Sequence, residues 1–250
     1  MNRREDNLLN GLTGEEVIYK YFPLKYLTPL LQNKLLRVDH TSKWEDVYEN
    51  FFLKNEFVYG NLSGKADSLL GCVYGQSWTL QDESDAMWRI YSNKYRESCA
   101  VRIKTTVKKL FDVIYPAEDN QLSHQHTTFL GRVNYLTDDE LVRWQHQPIS
   151  ASDMYSLMIE SFFLKRKPFE HEQEVRIIRT IPNDFCNVGV ESLEFEIDPA
   201  DLIDEFVIEP RLTTEQSDEV KRKLMDLAVP ADKIRQSDLY KFKPMKIIVR

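Results

Sequence analysis

The amino-acid sequence predicts an α+β fold: a single domain over residues 15–250, with a mixed or mostly antiparallel sheet flanked by helices, preceded by a flexible tail over residues 1–14. Three observations predict it. Strand-like and helix-like stretches follow one another without the regular βαβ period of a doubly wound sheet. No Gly/Ser/Pro-rich linker, low-complexity tract or internal repeat interrupts the chain. The 250 residues, 42% hydrophobic and 29% charged with 12 Tyr and 13 Phe, suffice for one large core and exclude a disordered chain.

The elements follow in order. Residues 1–14 are polar and read as the tail. Glu16 to Phe22 alternates as a strand, with Lys20 on the face opposite Tyr19 and Tyr21. Thr28-Pro29 reads as an N-cap and first position of a helix running to Lys34, and Leu35 to Val38 as a short strand. Lys43 to Phe52 is a loop entering a helix, where Asp46 and Glu49 share a face and Trp44 is either a lid or a core plug. Residues 53–68 form a polar loop or hairpin. Gly71 to Thr79 reads as a buried strand ending in Ser77 and Thr79 on one side, its glycines marking close backbone approach or a bulge. Asp82 or Ser84 caps a short aromatic helix with Met87, Trp88 and Tyr91. Cys99 to Lys104 is a strand, and Thr105 or Thr106 caps a helix to Tyr115. A polar loop over 116–127, a strand from Phe129 to Leu136 and an amphipathic helix over 152–165 follow. Strands at Ser192–Ile197 and Ile203–Glu209 flank a Pro199 turn, Thr213 to Ala228 is a helix, and short β-like pieces end the chain.

A net charge of −7 speaks against binding nucleic acid over the whole surface, while a local basic groove stays compatible with it. Cys72, Cys99 and Cys186 are odd in number and lack a C-x-x-C pair, which predicts reduced intracellular thiols. The N-terminus has no apolar signal region and no window of about 18 apolar residues exists, so a cytoplasmic protein without a membrane span is expected. Dinucleotide-binding, P-loop, H-E-x-x-H and G-x-S-x-G motifs are absent. His124, His126, His146 and His171 have no Cys partner at zinc-like spacing, so no metal site is expected.

The chemistry concentrates in Phe169-Glu170-His171-Glu172-Gln173-Glu174-Val175-Arg176-Ile177-Ile178-Arg179. In an extended backbone Glu172, Glu174 and Arg176 share one side and Gln173, Val175 and Ile177 the other. One reading is a site whose charge partners keep one acid ionised and push the other upward in pKa; the other is a solvated Arg–Glu ladder. Lys20, the Ser77-Trp78-Thr79 strand end and the rings of Tyr21, Trp78, Trp88 and Tyr91 add the parts of a cleft for a polar ligand with a stacking ring.

Tyr19-Lys20-Tyr21, Trp44-Glu45-Asp46-Val47-Tyr48-Glu49, Ser77-Trp78-Thr79, Asp85-Ala86-Met87-Trp88, Val133-Asn134-Tyr135 and Phe169 to Arg176 together resemble the bacterial domain of unknown function 2971 over roughly residues 17–240. Most members of that family carry Phe-Asn-Asp-Pro-Phe-Glu where this chain has Trp44 to Glu49. More distantly, the chain resembles the arginine-serine-glutamate class of ADP-ribosyltransferases. Lys20 stands for the first-strand Arg, Ser77-Trp78-Thr79 for S-T-S and Glu172-Gln173-Glu174 for E-x-E. That resemblance implies a split sheet and NAD as substrate, with Glu174 on the ribose 2′-hydroxyl and Glu172 acting on the acceptor. It also implies Ser77 on the ribose or amide, Lys20 on the pyrophosphate, and Trp78 or Tyr21 on the nicotinamide.

The function expected is therefore an NAD-dependent ADP-ribosyltransferase-like enzyme. It would be a toxin or phage-defence effector modifying a protein or nucleic acid, with an antitoxin or regulatory partner. Two alternatives stay open. One is a non-catalytic nucleotide- or protein-binding regulatory module. The other is a metal-dependent nuclease using Asp46, Glu172 and Glu174.

Overall fold

Alternation of apolar and polar residues becomes strand wherever both faces of the resulting strand find cover. The computed structural model describes residues 5–46, 48–49, 51–59, 62–65, 72–93, 99–115, 128–150, 152–181 and 189–246. In chain order it contains β1 (Leu8–Leu9), β2 (Val17–Pro23), α1 (Leu24–Asn33), β3 (Leu35–His40), α2 (Phe51–Lys54), β4 (Glu56–Tyr59), β5 (Leu62–Lys65) and β6 (Cys72–Thr79). Then come α3 (Asp85–Asn93), β7 (Ala100–Thr106), α4 (Val107–Ile114), β8 (Thr128–Arg132), β9 (Asn134–Leu136), α5 (Asp138–Gln145), α6 (Met154–Ser161) and β10 (Leu164–Arg166). The last are β11 (Glu174–Ile181), β12 (Ser192–Glu196), α7 (Pro199–Leu202), β13 (Glu205–Ile208), α8 (Thr214–Asp226) and β14 (Ile234–Gln236). The fold is α+β with mixed sheets, most of whose described pairings are antiparallel.

The chain divides into two compact units. Unit one holds residues 1–18, 35–81 and 106–197, and unit two holds 19–34, 82–105 and 198–250. In unit one the strands run β1, β8, β11, β6, with β3 joined to β6 and β12 to β3. Strand β11 is central: it pairs antiparallel with β8 and with β6, placing Glu174 opposite Thr79 and Arg176 opposite both Ser77 and Gly131. Small residues on either side leave room for a guanidinium on that face. The core of this unit gathers Phe51, Phe52, Val73, Met158, Ile159, Phe162, Phe163 and Ile178. In unit two the order is β2, β7, β13, β14, with β13 antiparallel to β7 and parallel to β14.

Thr106, one of the two threonines expected to cap α4, accepts from the Lys109 N–H at its start. The helix expected from Thr213 is α8, and Thr213 and Gln216 form a capping box on it. Helix α5 was not anticipated, although Thr137 and Glu140 form a capping box there too.

Several expectations are corrected. The tail is built in over its described residues: β1 runs parallel to β8, Asn7 donates to the Thr128 carbonyl, and Leu12 is buried. Helix α1 begins at Leu24 rather than at Thr28, because the Leu24 N–H is taken by the Cys99 carbonyl and Leu27, Leu30 and Leu31 bury together; Pro29 lies inside it. The helix expected over 152–165 stops at Ser161, and Leu164–Arg166 leaves it as β10, parallel to β9. The turn at Pro199 is the short helix α7, capped by Asp198. Cys72 is disulfide-bonded while Cys99 is free, so three reduced thiols is not the state seen. The expected loop at 116–127, with His124 and His126, and also Cys186, lie outside the described residues. Among the described residues no helix is long and apolar enough to cross a membrane.

Candidate active site

The extended reading of 169–179 holds only from Glu174 onward. Residues Lys167–Glu172 form a 3₁₀ turn that ends at Gln173 with φ 42°, a left-handed conformation that redirects the chain into β11. Glu172 therefore reaches the site from the turn and Glu174 from the strand. The two carboxylates meet although they do not share a strand face.

Glu174 and Arg176 do share one, and both are buried. Arg176 Nε donates to Glu174 Oε2 at 2.6 Å, Nη1 donates to the Phe162 carbonyl at 2.8 Å, and Nη2 pairs with Glu49. The guanidinium lies 4.7 Å from the Trp44 ring centroid. Trp44 comes this close because position 75, on the same face of β6, is glycine: a Cβ there would stand 2.3 Å from Trp44 Cζ2. The close approach expected of Gly75 is thus an indole lying on the sheet.

Lys165, from β10, completes the cluster. Its ammonium donates to Glu172 at 2.7 Å and Glu174 at 2.6 Å and sits 3.2 Å from Glu49. Opposite Lys165 in register, Tyr135 of β9 accepts the Glu174 backbone N–H at 2.8 Å. From β6, Ser77 Oγ donates to Glu174 Oε2 at 3.0 Å and Thr79 Oγ1 donates to the Glu172 carbonyl at 2.6 Å. Beside the cluster, Arg166 lies over the Tyr48 ring at 4.4 Å and donates to Asp46 at 3.2 Å.

The electrostatics separate the two acids. Burial alone would raise Glu174, but Arg176, a hydrogen bond with Glu172 and Lys165 outweigh it and hold its carboxyl well below the usual range. Glu172 is pushed up to about 8 by burial and by its bond to the Glu174 carboxylate, with Lys165 opposing. Lys165 is held above its ordinary value: burial works against the charge, and Glu174, Glu49 and Glu172 overcome it. One acid is thus a fixed anion and the other a proton carrier near neutrality, the pattern found where a site needs both roles.

Of the residues singled out in the sequence, the structure brings together Ser77, Glu172 and Glu174. Lys20, Tyr21 and Trp88 belong to unit two. There Tyr21 packs edge-on against Trp88 at 4.8 Å and stacks with Tyr91 at 5.8 Å, and Lys20 lies over Phe22 at 5.3 Å. Tyr21 and Trp88 are at most 2% exposed, as is Trp78, whose indole N–H donates to Gln76. Rings so enclosed offer no face for a ligand to stack on, and the structure assigns them to packing. Lys165, Glu49 and Tyr135 were missed as partners of the acids. The one signal for Lys165 was a lysine directly after the apolar run Phe162-Phe163-Leu164. As metal ligands, Asp46, Glu172 and Glu174 are each engaged by Arg166 or Lys165, and among the described residues no group of three His, Cys, Asp or Glu side chains is disposed to hold a metal ion.

The family described as "Protein of unknown function (DUF2971)" matches residues 87–177. That span takes in Met87-Trp88, Val133-Asn134-Tyr135 and Glu172 to Arg176, and leaves out Lys20, Trp44 to Glu49 and Ser77. No curated protein matches. Among solved structures, Thermus sp. 2.9 DarT in complex with ADP-ribosylated ssDNA aligns over 88% of this chain and 92% of its own, at 10% identity and a TM-score of 0.39. The same protein in complex with carba-NAD+ aligns over 87% and 92%, at 12% identity and a TM-score of 0.38.

Proposed function

We propose that this chain is an NAD-dependent ADP-ribosyltransferase-like enzyme, with NAD as substrate and a protein or nucleic acid as acceptor, acting as a toxin or defence effector. The observation that supports it best is the hydrogen bond from Ser77 on β6 to Glu174 on the adjacent β11. The serine strand end and the second acid of E-x-E are the two motif parts the resemblance pairs, and they are 97 residues apart in sequence. The reading rests on unit one alone.

Breaking the bond between nicotinamide and ribose builds positive charge on the ribose. A carboxylate fixed as an anion at the ribose hydroxyl stabilises that charge more in the transition state than in the substrate. Glu174 is such an anion, oriented by Ser77, Lys165 and Arg176. Glu172, 21% exposed and protonated near neutrality, takes the acceptor's proton once it has lost its own.

Labelled NAD incubated with the protein and cell extract tests the reading. Label moves to a macromolecule with wild type and is lost in Glu174→Gln and strongly reduced in Ser77→Ala, both checked for a native melting transition. No transfer and no NAD consumption by wild type refutes it. The saturation of Glu174 by Lys165, Arg176 and Ser77 favours a second reading, in which the cluster is a scaffold of a non-catalytic nucleotide- or protein-binding module. In that case NAD raises the melting temperature without being consumed.

A further inference from the structure

In unit two, the segment that follows β14 breaks the pattern of the remaining surface. Residues 238–246 are all exposed. Phe242 is 86% and Met245 85% exposed, no other exposed large hydrophobic among the described residues passes 51%, and Leu239 and Tyr240 lie in the same run. A lone apolar side chain in water needs no explanation, but two almost wholly hydrated ones within four residues, with two more beside them, mark a surface that is covered in use. The charge is as uneven. Residues 239–250 hold Lys241, Lys243, Lys246 and Arg250 and no acid, so the chain's net charge of −7 leaves −11 on all the rest.

The segment is anchored at its base. Ser237 is buried; its N–H donates to the Ile208 carbonyl at 3.0 Å, its hydroxyl donates to Glu83, and it accepts the Leu239 N–H at 3.1 Å. The Tyr240 hydroxyl donates to Asp85, and the Lys241 N–H to the Asp238 carbonyl at 2.9 Å. The acids nearest in this network are occupied: Asp85 pairs with Arg89 at 2.8 Å and Asp238 with Lys241 at 2.6 Å. Among the described residues, Lys243 and Lys246 pair with no acid, and their charge faces solvent beside Phe242 and Met245.

We propose that residues 239–246 are a docking surface for an anionic phospholipid bilayer, with Tyr240, Phe242 and Met245 entering the boundary between headgroups and acyl chains and Lys243 and Lys246 lying among the phosphates. Both halves of that contact are favourable at once: apolar area leaves water, and the lysine stems bury while their ammonium groups stay at the anionic surface. Pro244 bars a helix through the segment, so the contact is made by an irregular backbone at the interface, where water still serves its polar groups. The acidic remainder of the chain does not cancel the attraction, because charges more than about 8 Å from the headgroups are screened in physiological salt. The apolar side chains also choose between polyanions. Single-stranded nucleic acid is held by flat rings on which bases stack, whereas beyond Phe242 the apolar residues are Met245 and, in sequence, Ile247, Ile248 and Val249, which bury in hydrocarbon and offer no ring.

The test is co-sedimentation of the full chain with phosphatidylcholine vesicles containing about 30% phosphatidylserine, at about 0.1 M salt. The chain binds these vesicles, binds pure phosphatidylcholine at least about tenfold more weakly, and is released at about 0.5 M salt. Lys243→Gln combined with Lys246→Gln weakens binding about 25-fold, or about fivefold per cation, and Phe242→Ser weakens it about tenfold. These side chains lie in water, so the melting transition of each variant stays at that of the wild type. Phe242→Trp places an indole in the segment, and relative to wild type its added emission shifts to the blue and is quenched by brominated lipid. No binding to the anionic vesicles, equal binding to neutral ones, or variants that bind like wild type overturn the proposal, as does capture of a single-stranded oligonucleotide in place of the vesicles. None of these readouts involves NAD, so the inference stands or falls independently of the enzyme reading.

Discussion

Replacing Arg176 with Met is the most direct test of how the buried cluster holds unit one together. The guanidinium is fully buried and serves three acceptors, Glu174, Glu49 and the Phe162 carbonyl, besides lying over Trp44. Met keeps the apolar stem and removes every donor. Breaking a buried ion pair from one side costs about 3–5 kcal/mol, because the partner charge stays behind in a poor solvent. The stranded carbonyl alone costs about 1–3 kcal/mol, but it lies in the same network and does not add in full. Lys165 remains to compensate part of the charge on Glu174 and Glu49, so we expect a net loss of about 3–5 kcal/mol. Urea unfolding followed by tryptophan fluorescence reads this, and Trp44, which touches the guanidinium, reports locally. Lys223→Met is the control: Lys223 pairs with Glu219 with both side chains more than half exposed, and its removal costs well under about 1 kcal/mol. A double-mutant cycle of Arg176→Met with Glu49→Gln should show a coupling of at least about 1 kcal/mol. If Arg176→Met loses less than about 1 kcal/mol, the cluster is hydrated like a surface pair and the reasoning about its buried charge fails.

Further perturbations probe separate parts of the structure. Gly75→Ala places a Cβ on Trp44 and should displace the indole, seen as a change in fluorescence and a loss of about 1–3 kcal/mol; an unchanged spectrum and melt would show that the ring has room to spare. The raised Glu172 sets a pH dependence: the native state binds its proton more tightly than the unfolded chain does, so that contribution is present below the ordinary carboxylate range and is lost as pH rises toward 8. Glu174 works in the opposite window, its contribution present above the ordinary range and lost on acidification. Denaturation midpoints across pH 5 to 9 should therefore slope downward more in wild type than in Glu172→Gln, and equal slopes would contradict the assignment. Thr213→Ala removes the hydroxyl that caps α8 and should cost about 1 kcal/mol by chemical denaturation, with Thr213→Ser near neutral.

Much of the secondary structure was legible because its causes are local. The alternation at Val17 to Phe22 and at Ala100 to Lys104, and the threonines at 106 and 213, act over a few residues and leave a pattern in the sequence. Thr28-Pro29 misled for the same reason: the dipeptide is a good helix start, and the start moved to Leu24 because a carbonyl of Cys99, distant in sequence, accepts the Leu24 N–H. The built-in first residues escaped notice because β1 is two residues long and its partner β8 lies about 120 residues away.

By itself, the sequence determined that the fold is α+β, that a strand in the 169–179 stretch carries Glu174 and Arg176 on one side, and that Ser77 lies near the end of a strand with its hydroxyl on one side. Period-two geometry suffices for each of these. Only the tertiary structure decided that Glu174 and Arg176 are buried rather than solvated, that Glu172 arrives from a 3₁₀ turn, and that Lys165 and Glu49 close the charge cluster. The reason is physical: the pKa of an acid and its role depend on the dielectric and the charges within a few ångströms of it, and the path of the folded chain decides those, bringing Lys165 of β10 back onto Glu174 and Glu49 onto Arg176 from 127 residues away.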